Sequence, residues 1–224
     1  MMKNNLFLQA LKKIIAGFVA IGLLLYLPAG TLHYWNAWLF VAVLFAPMVF
    51  LGILMLFKSP KLLEKRLDAK EKIAEQKWVV ALSGIMFIAA FVVAGLNFRF
   101  SWHSLPDYVI WVGAGVFLLS YLIYAEVMRE NAFLSRTIEV QENQKVIDTG
   151  LYGIVRHPMY SATLIMFLSI PLILGSIISF AIMLAYIPII AVRMNNEEKV
   201  LEEGLSGYKE YKQKVKYKVI PFVW

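Results

Sequence analysis

From Lys13 onward, long apolar stretches alternate with short polar ones that are mostly basic. Four stretches stand out: Ile14–Leu32, Ala37–Phe57, Val79–Phe98 and Tyr108–Met128. Each is close to the ~20 residues that a helix needs to cross ~30 Å of hydrocarbon at ~1.5 Å per residue. Tyr34, Trp35, Trp38, Trp78, Trp102, Tyr108 and Trp111 stand at their ends, where amphipathic rings favour the headgroup level. Then comes Tyr160–Val192, 33 residues without a charge. That is too long for one crossing, and Gly175-Ser176 near its middle divides it in two. The pattern predicts a tight hairpin of short or tilted halves. Pro171 and Pro188 fall inside those halves, where neighbouring helices can satisfy the freed carbonyls. The fold class is therefore all-α and integral to a membrane, with about six transmembrane helices and the last two as a hairpin.

Composition agrees. Hydrophobic residues make up 60% of the 224 and charged residues 17%, against roughly 45–50% and 25% in soluble domains. The first apolar run follows Lys3, Lys12 and Lys13 like a signal peptide, but its 19 residues exceed the roughly 7–15 of a cleavable core. It is read as a retained helix. With the N-terminus inside, the inner segments 1–13, 58–78, 129–159 and 193–224 hold 21 Lys and Arg, and the outer connections hold Arg99 alone. This asymmetry predicts that both termini are cytoplasmic. The expected location is a prokaryotic cell membrane.

The net charge of +7 follows from those inner segments, so it points to membrane lipids as partners and not to nucleic acid. The chain has no cysteine, which excludes disulfides, thiolate metal sites, a Cys nucleophile and lipidation of the chain at cysteine. His157 is expected far from His33 and His103, so no multi-His metal centre is predicted. GxGxxG and GxxxxGK[ST] are both absent, which removes the familiar phosphate-cradling loops.

Residues 1–128 read as an N-terminal four-helix region, and 129–224 as a cytoplasmic loop, the hairpin and a basic tail. Lys58–Lys77 carries mixed charges at helical spacings (Glu64/Asp68, Asp68/Lys72, Glu71/Glu75) and reads as a solvated surface helix. Glu126, near the inner end of the fourth span, is a functional candidate by its depth, but it can reach Arg129 or the aqueous layer at Glu130. Arg136–Gln141 reads as extended, and Val146–Gly150 as a turn entering a short helix. Lys209, Lys212, Lys214, Lys216 and Lys218 read as lipid-facing charges of the tail.

Two polar clusters flank the hairpin and share one membrane face. The first is Gly150-x-Tyr152-x-x-x-Arg156-His157-Pro158-x-Tyr160. Pro158 fits the first turn of the fifth span, where its missing N–H costs nothing and free N–H groups favour an anion. The second is Arg193-x-x-x-Glu197-Glu198-x-x-Leu201, followed by Tyr208-x-x-Tyr211. Arg193 and Glu197 are four residues apart and share a helix face.

Together these motifs resemble the signature of the isoprenylcysteine carboxyl methyltransferase family, membrane enzymes related to phospholipid N-methyltransferases. The resemblance covers about residues 129–221. It implies a methyltransferase using S-adenosylmethionine, bound in a cytoplasmic pocket between the loop before the fifth span and the C-terminal helix. The cofactor contacts it implies are Thr137, Gln144, Lys145, Val146, Ile147, Tyr152, His157, Pro158, Met159, Tyr160 and Glu197, with Arg193 orienting the acceptor. The chain departs from the family pattern at Gln144, where His is common, and at Gly204-Leu205, a difference of helix packing.

The chemistry of these residues suits that implication. Glu197 complements the ammonium and sulfonium charges, and the Tyr152 and Tyr160 rings suit adenine stacking or a cation–π contact. His157 becomes a wall of the pocket and not a base. A lipophilic acceptor is expected, most simply an isoprenylcysteine-like carboxylate, which is already ionised and needs no base. The alternatives are phospholipid N-methylation, a membrane reductase of related architecture, and a non-enzymatic membrane protein.

Overall fold

The structure is a computed structural model, which describes residues 2–67, 74–135 and 137–224. The pairs Glu64/Asp68, Asp68/Lys72 and Glu71/Glu75, and Arg136 at the head of the expected extended segment, lie wholly or partly outside the described residues. The described residues form helices and no strands. In order these are α1 (Met2–Ala29), α2 (Trp35–Lys58), α3 (Pro60–Leu67), α4 (Ala74–Phe100) and α5 (Asp107–Glu130). After a 3-10 turn at Gly150–Gly153 come α6 (Pro158–Ile173), α7 (Ile177–Met183), α8 (Tyr186–Gly204) and α9 (Tyr208–Lys214).

Among the described residues, five helical stretches are long and apolar enough to cross a membrane: Asn5–Ala29, α2, Gln76–Phe100, α5 and the run Ile177–Gly204. α6 is apolar but has 16 residues, about 24 Å at 1.5 Å each, less than a full hydrocarbon core. The expected hairpin is therefore asymmetric, a short descending arm and a long returning one. Its turn is a helix stop at Gly175, whose φ is +72°. Gly175 N–H bonds the carbonyl of Leu172 at 3.1 Å, and Ser176 N–H bonds that of Pro171 at 3.0 Å. This left-handed cap favours glycine. The returning arm breaks at Leu184–Ala185 for a local reason. Pro188 has no N–H for the Leu184 carbonyl, and Ile187 bonds it at 3.1 Å in a tighter turn.

α5 packs along α6, α1 along α4, and α4 also against α7 and α8, while α2 bridges α1 and α5. At the centre Leu25, Tyr34, Phe40, Phe117 and Ile173 are fully buried. The Tyr34 hydroxyl donates to the Leu174 carbonyl at 2.5 Å, fixing the hairpin turn to the base of α2. Phe50, Phe57, Ile85 and Leu122 point outward. In a bilayer such side chains gain nothing by burial, so close packing and internal hydrogen bonds hold the bundle together.

The start of α4, the end of α5, the start of α6 and the later part of α8 meet at one end of the bundle. α3 sits beside them and is more than a solvated connector. Leu62 and Leu63 are buried, and Lys13 of α1 bonds the Leu67 carbonyl. Lys65 donates to the Gln141 side chain, and the Arg66 guanidinium lies 5.3 Å from the Tyr124 ring centre. α3 thus buttresses the segment after α5.

Candidate active site

The start of α6 is held by charge. Arg156 and His157, 7% and 5% exposed, both turn to Glu198 of α8, which is 4% exposed. Arg156 Nε donates to Glu198 Oε1 at 2.8 Å, and His157 Nε2 lies 3.2 Å from the same oxygen. Lys212 and Lys218 reach Glu198 Oε2 at 3.2 and 3.6 Å. Arg156 Nη1 also donates to the carbonyls of Val215 and Lys216, at 2.8 and 2.7 Å. Backbone bonds run alongside: Arg156 N–H to Tyr217 O at 2.9 Å and His157 N–H to Lys218 O at 2.8 Å.

Lys212, Lys214 and Lys218 therefore do not conform to the expectation of lipid-facing charges. Lys212 pairs with Glu198 and Glu202, Lys214 with Asp148 at 2.9 Å, and Lys218 also with Asn195 at 2.7 Å. The buried carboxylate of Glu198 draws the tail in, because an ion taken out of water must find partners.

Beside this cluster a second chain of polar contacts faces a cavity. Tyr160 Oη donates to Glu197 Oε2 at 2.5 Å and accepts from Arg193 Nε at 3.2 Å. Arg193 Nη1 donates to Gln76 Oε1 of α4 at 3.1 Å. Pro158 is the first residue of α6 and His157 its N-cap, with no side-chain bond closing the helix start.

A third set of contacts places Tyr152. Gly150 has φ +50°, which favours glycine, and a Cβ there would lie 1.4 Å from Glu130 Oε1, so a side chain would displace that carboxylate. Glu130 then accepts from Leu151 N–H at 3.1 Å and pins the 3-10 turn to the end of α5. Asn131 Nδ2 donates to Tyr152 Oη at 2.9 Å, and Tyr211 Oη donates to the Tyr152 carbonyl at 2.7 Å. Burial pushes the Tyr152 phenol up, partly opposed by the Asn131 hydrogen bond and reinforced by the Glu197 and Glu130 carboxylates, so it stays protonated.

Residues 131–135 and 137–147 contribute a wall of the cavity. Gln144 uses its side-chain oxygen to accept Gln141 N–H at 2.8 Å, and Gln144 N–H bonds the Gln141 carbonyl at 3.1 Å. Gln144 thereby closes a turn while standing in the wall. Thr137 is tied to Ser135, their hydroxyls 3.0 Å apart. Gly204 comes close to this segment: a Cβ there would lie 2.9 Å from Val140 Cγ2, which agrees with reading that position as packing. Away from the cavity, Glu126 pairs with Arg129, at 2.8 and 2.6 Å.

The cavity holds about 860 Å³ of space between atoms, the solvent at its open mouth included. Thr137, Gln144, Lys145, Val146, Ile147, Tyr152, His157, Pro158, Met159, Tyr160, Arg193 and Glu197 all line it. The structure thus brings every contact residue implied by the resemblance to one space. Arg156, Leu205 and Tyr208, named in the sequence without a contact role, line it too, and the structure adds Asn131. Tyr208 is 4% exposed, and its hydroxyl has no hydrogen-bond partner among the described residues. Burial, then the Glu198 and Glu197 carboxylates, push its phenol up, so this hydroxyl is a waiting neutral donor.

Comparison with known proteins bears on the same segment. A delta(14)-sterol reductase of Mus musculus is 30% identical over 91 residues, covering 39% of this chain and 22% of the reductase. The chain thus spans about a fifth of the length of that relative. The model of the phospholipid methyltransferase family matches residues 108–206, from the start of α5 to just past α8. Tyr152, Tyr160, Arg193 and Glu197 lie inside that match, and Gln76 and Tyr208 outside it. Residues 108–206 carry the pattern of the phospholipid methyltransferase family, the membrane methyltransferases that include the isoprenylcysteine enzymes.

Proposed function

We propose that the protein is an S-adenosylmethionine-dependent methyltransferase acting on a lipophilic acceptor at the cytoplasmic face of a membrane. The favoured reaction is carboxyl O-methylation of an isoprenylcysteine-like compound. The observation that carries this reading is the Tyr160–Glu197 hydrogen bond, which joins the two sequence motifs across one cavity inside the matched segment.

The residues present fit the cofactor. The orphaned Tyr208 hydroxyl offers a donor, and Glu197 supplies a negative charge on the wall. When bound, S-adenosylmethionine supplies a methyl group on a positively charged sulfur. In this reading Glu197 complements that charge and the ligand ammonium, and the rings of Tyr152 and Tyr160 flank the nucleoside. At the start of α6, Pro158 has no N–H and those of His157, Tyr160 and Ser161 bond backbone carbonyls, so in this reading Met159 N–H faces the carboxylate. Arg193 holds the acceptor's carboxylate, so that the reacting oxygen is aligned and water is kept out.

The acid–base groups on the wall favour O-methylation over N-methylation. An ammonium must lose a proton before it can be methylated, and a carboxylate need not. His157 is engaged with Glu198, Glu197 with Tyr160, and the Tyr152 phenol stays protonated. The partial similarity to a sterol reductase supports a second reading, a reductase on a lipophilic substrate. Incubating purified protein with methyl-labelled S-adenosylmethionine and a membrane lipid extract separates the outcomes. A base-labile methyl ester is expected. A labelled methylamine would mean N-methylation, and calorimetric binding of a nicotinamide cofactor in place of S-adenosylmethionine would favour the reductase.

A further inference from the structure

Gln76 meets Arg193 from outside the cavity wall. It lies near the start of α4 and is fully buried. Its Oε1 accepts from Arg193 Nη1 at 3.1 Å, while Arg193 Nε reaches Tyr160 Oη at 3.2 Å. A guanidinium only donates, so the amide oxygen must face it. Gln76 Nε2 is thereby turned away, and it has no hydrogen-bond partner among the described residues.

A buried amide with one end unpaired is worse for stability than an apolar side chain of the same shape. Packing therefore does not account for an amide at this position. Its contact with Arg193 does. The guanidinium is a rigid planar fork, and acceptors on two different helices fix both its plane and its rotation. One acceptor is Tyr160 of α6, inside the matched segment 108–206. The other is on α4, before that segment.

We infer that Gln76 is a positioning residue that holds the Arg193 guanidinium in register with the acceptor's headgroup. The inference rests on the methyltransferase reading above. It makes the acceptor end of the site a joint product of the N-terminal helices and the methyltransferase segment, while the cofactor end belongs to that segment and the tail.

The test is Gln76→Met, which keeps the length of the side chain and removes both polar atoms. Turnover (kcat/KM for the acceptor) is expected to fall by about tenfold or more, with cofactor Kd within about twofold of wild type. The melting temperature in detergent is expected to hold or rise, because the orphaned donor is gone. Gln76→Glu, which restores an oxygen to Arg193, is expected to recover much of the loss. Unchanged turnover in Gln76→Met, or an equal loss of cofactor affinity, overturns the inference.

A readout independent of turnover is phenylglyoxal modification of Arg193, mapped by mass spectrometry. It is expected to run several-fold faster in Gln76→Met than in wild type, and an equal rate overturns the inference. Wild-type protein that binds no S-adenosylmethionine would sink the methyltransferase reading, while the Arg193 modification rate still decides the role of Gln76. If Gln76→Met is not recovered folded, Gln76→Asn, which keeps the amide but shortens its reach, carries the same expectations for turnover, cofactor Kd and the Arg193 modification rate.

Discussion

Tyr160 and Glu197 are 37 positions apart and share a hydrogen bond of 2.5 Å. The bond ties the first turn of α6 to the far part of α8, so the separation of these helices is set inside the cavity. The hydroxyl also accepts from Arg193, which places a cation and a carboxylate on either side of one phenol.

If Glu197 complements a cationic ligand, removing its charge must weaken binding. Glu197→Gln is expected to lower S-adenosylmethionine affinity by about tenfold or more, the effect of losing one charge-assisted contact of about 1.5–3 kcal/mol. Titration calorimetry on protein in detergent measures it. Unchanged affinity in Glu197→Gln and in Tyr152→Ala together would remove the cofactor from this cavity.

Arg193 is assigned to the acceptor end, so its loss should divide the kinetics unevenly. Arg193→Ala is expected to lose turnover by about a hundredfold while cofactor affinity changes by less than about threefold. Arg193→Lys should recover little, since a point charge does not replace a planar fork. Parallel loss of binding and turnover contradicts the assignment.

Glu198 anchors Arg156, His157, Lys212 and Lys218. Removing it leaves a buried guanidinium without its carboxylate, a change that costs about 3–5 kcal/mol in comparable sites. Glu198→Ala is expected to lower the melting temperature sharply and abolish cofactor binding with it. Retained stability would mean that the tail and not the carboxylate holds Arg156.

The orphaned hydroxyl of Tyr208 predicts a trade between stability and binding. Tyr208→Phe removes an unpaired buried donor, which is worth about 1–3 kcal/mol, so the ligand-free protein should melt at a higher temperature. The same variant should bind S-adenosylmethionine more weakly. Scanning calorimetry with and without the ligand checks both signs, and a variant that gains stability without losing affinity excludes Tyr208 as a contact.

The spans are legible because uncharged apolar runs longer than about 17 residues seldom form outside membrane helices. The hairpin turn is legible because Gly175 sits where a left-handed cap is needed. The motifs at Tyr152–Tyr160 and Arg193–Glu197 are legible from their residues and spacing, which a family resemblance can use. Gln76 is not. It reads as one more polar residue at the end of a charged loop, and its partner is 117 positions away. Glu198 likewise reads as one of several juxtamembrane acids. Nothing local distinguishes it from Glu202 or Glu203 until α8 turns it inward. The tail lysines escape a local reading for the same reason, since lipid and a buried carboxylate attract the same charge.

The clasp between residues 215–218 and Arg156–His157 fixes an order of events. Ribosomes make the chain from the N-terminus, so α1 to α8 exist before residues 215–218 have been joined. Until then the Arg156 guanidinium has Glu198 but lacks the carbonyls of Val215 and Lys216, and the N–H groups of Arg156 and His157 lack those of Tyr217 and Lys218. The helices can form early, but the start of α6 is complete only once residues 215–218 have been made. A chain cut before residue 215 would keep its apolar helices and lose the backbone clasp that shapes this wall of the cavity.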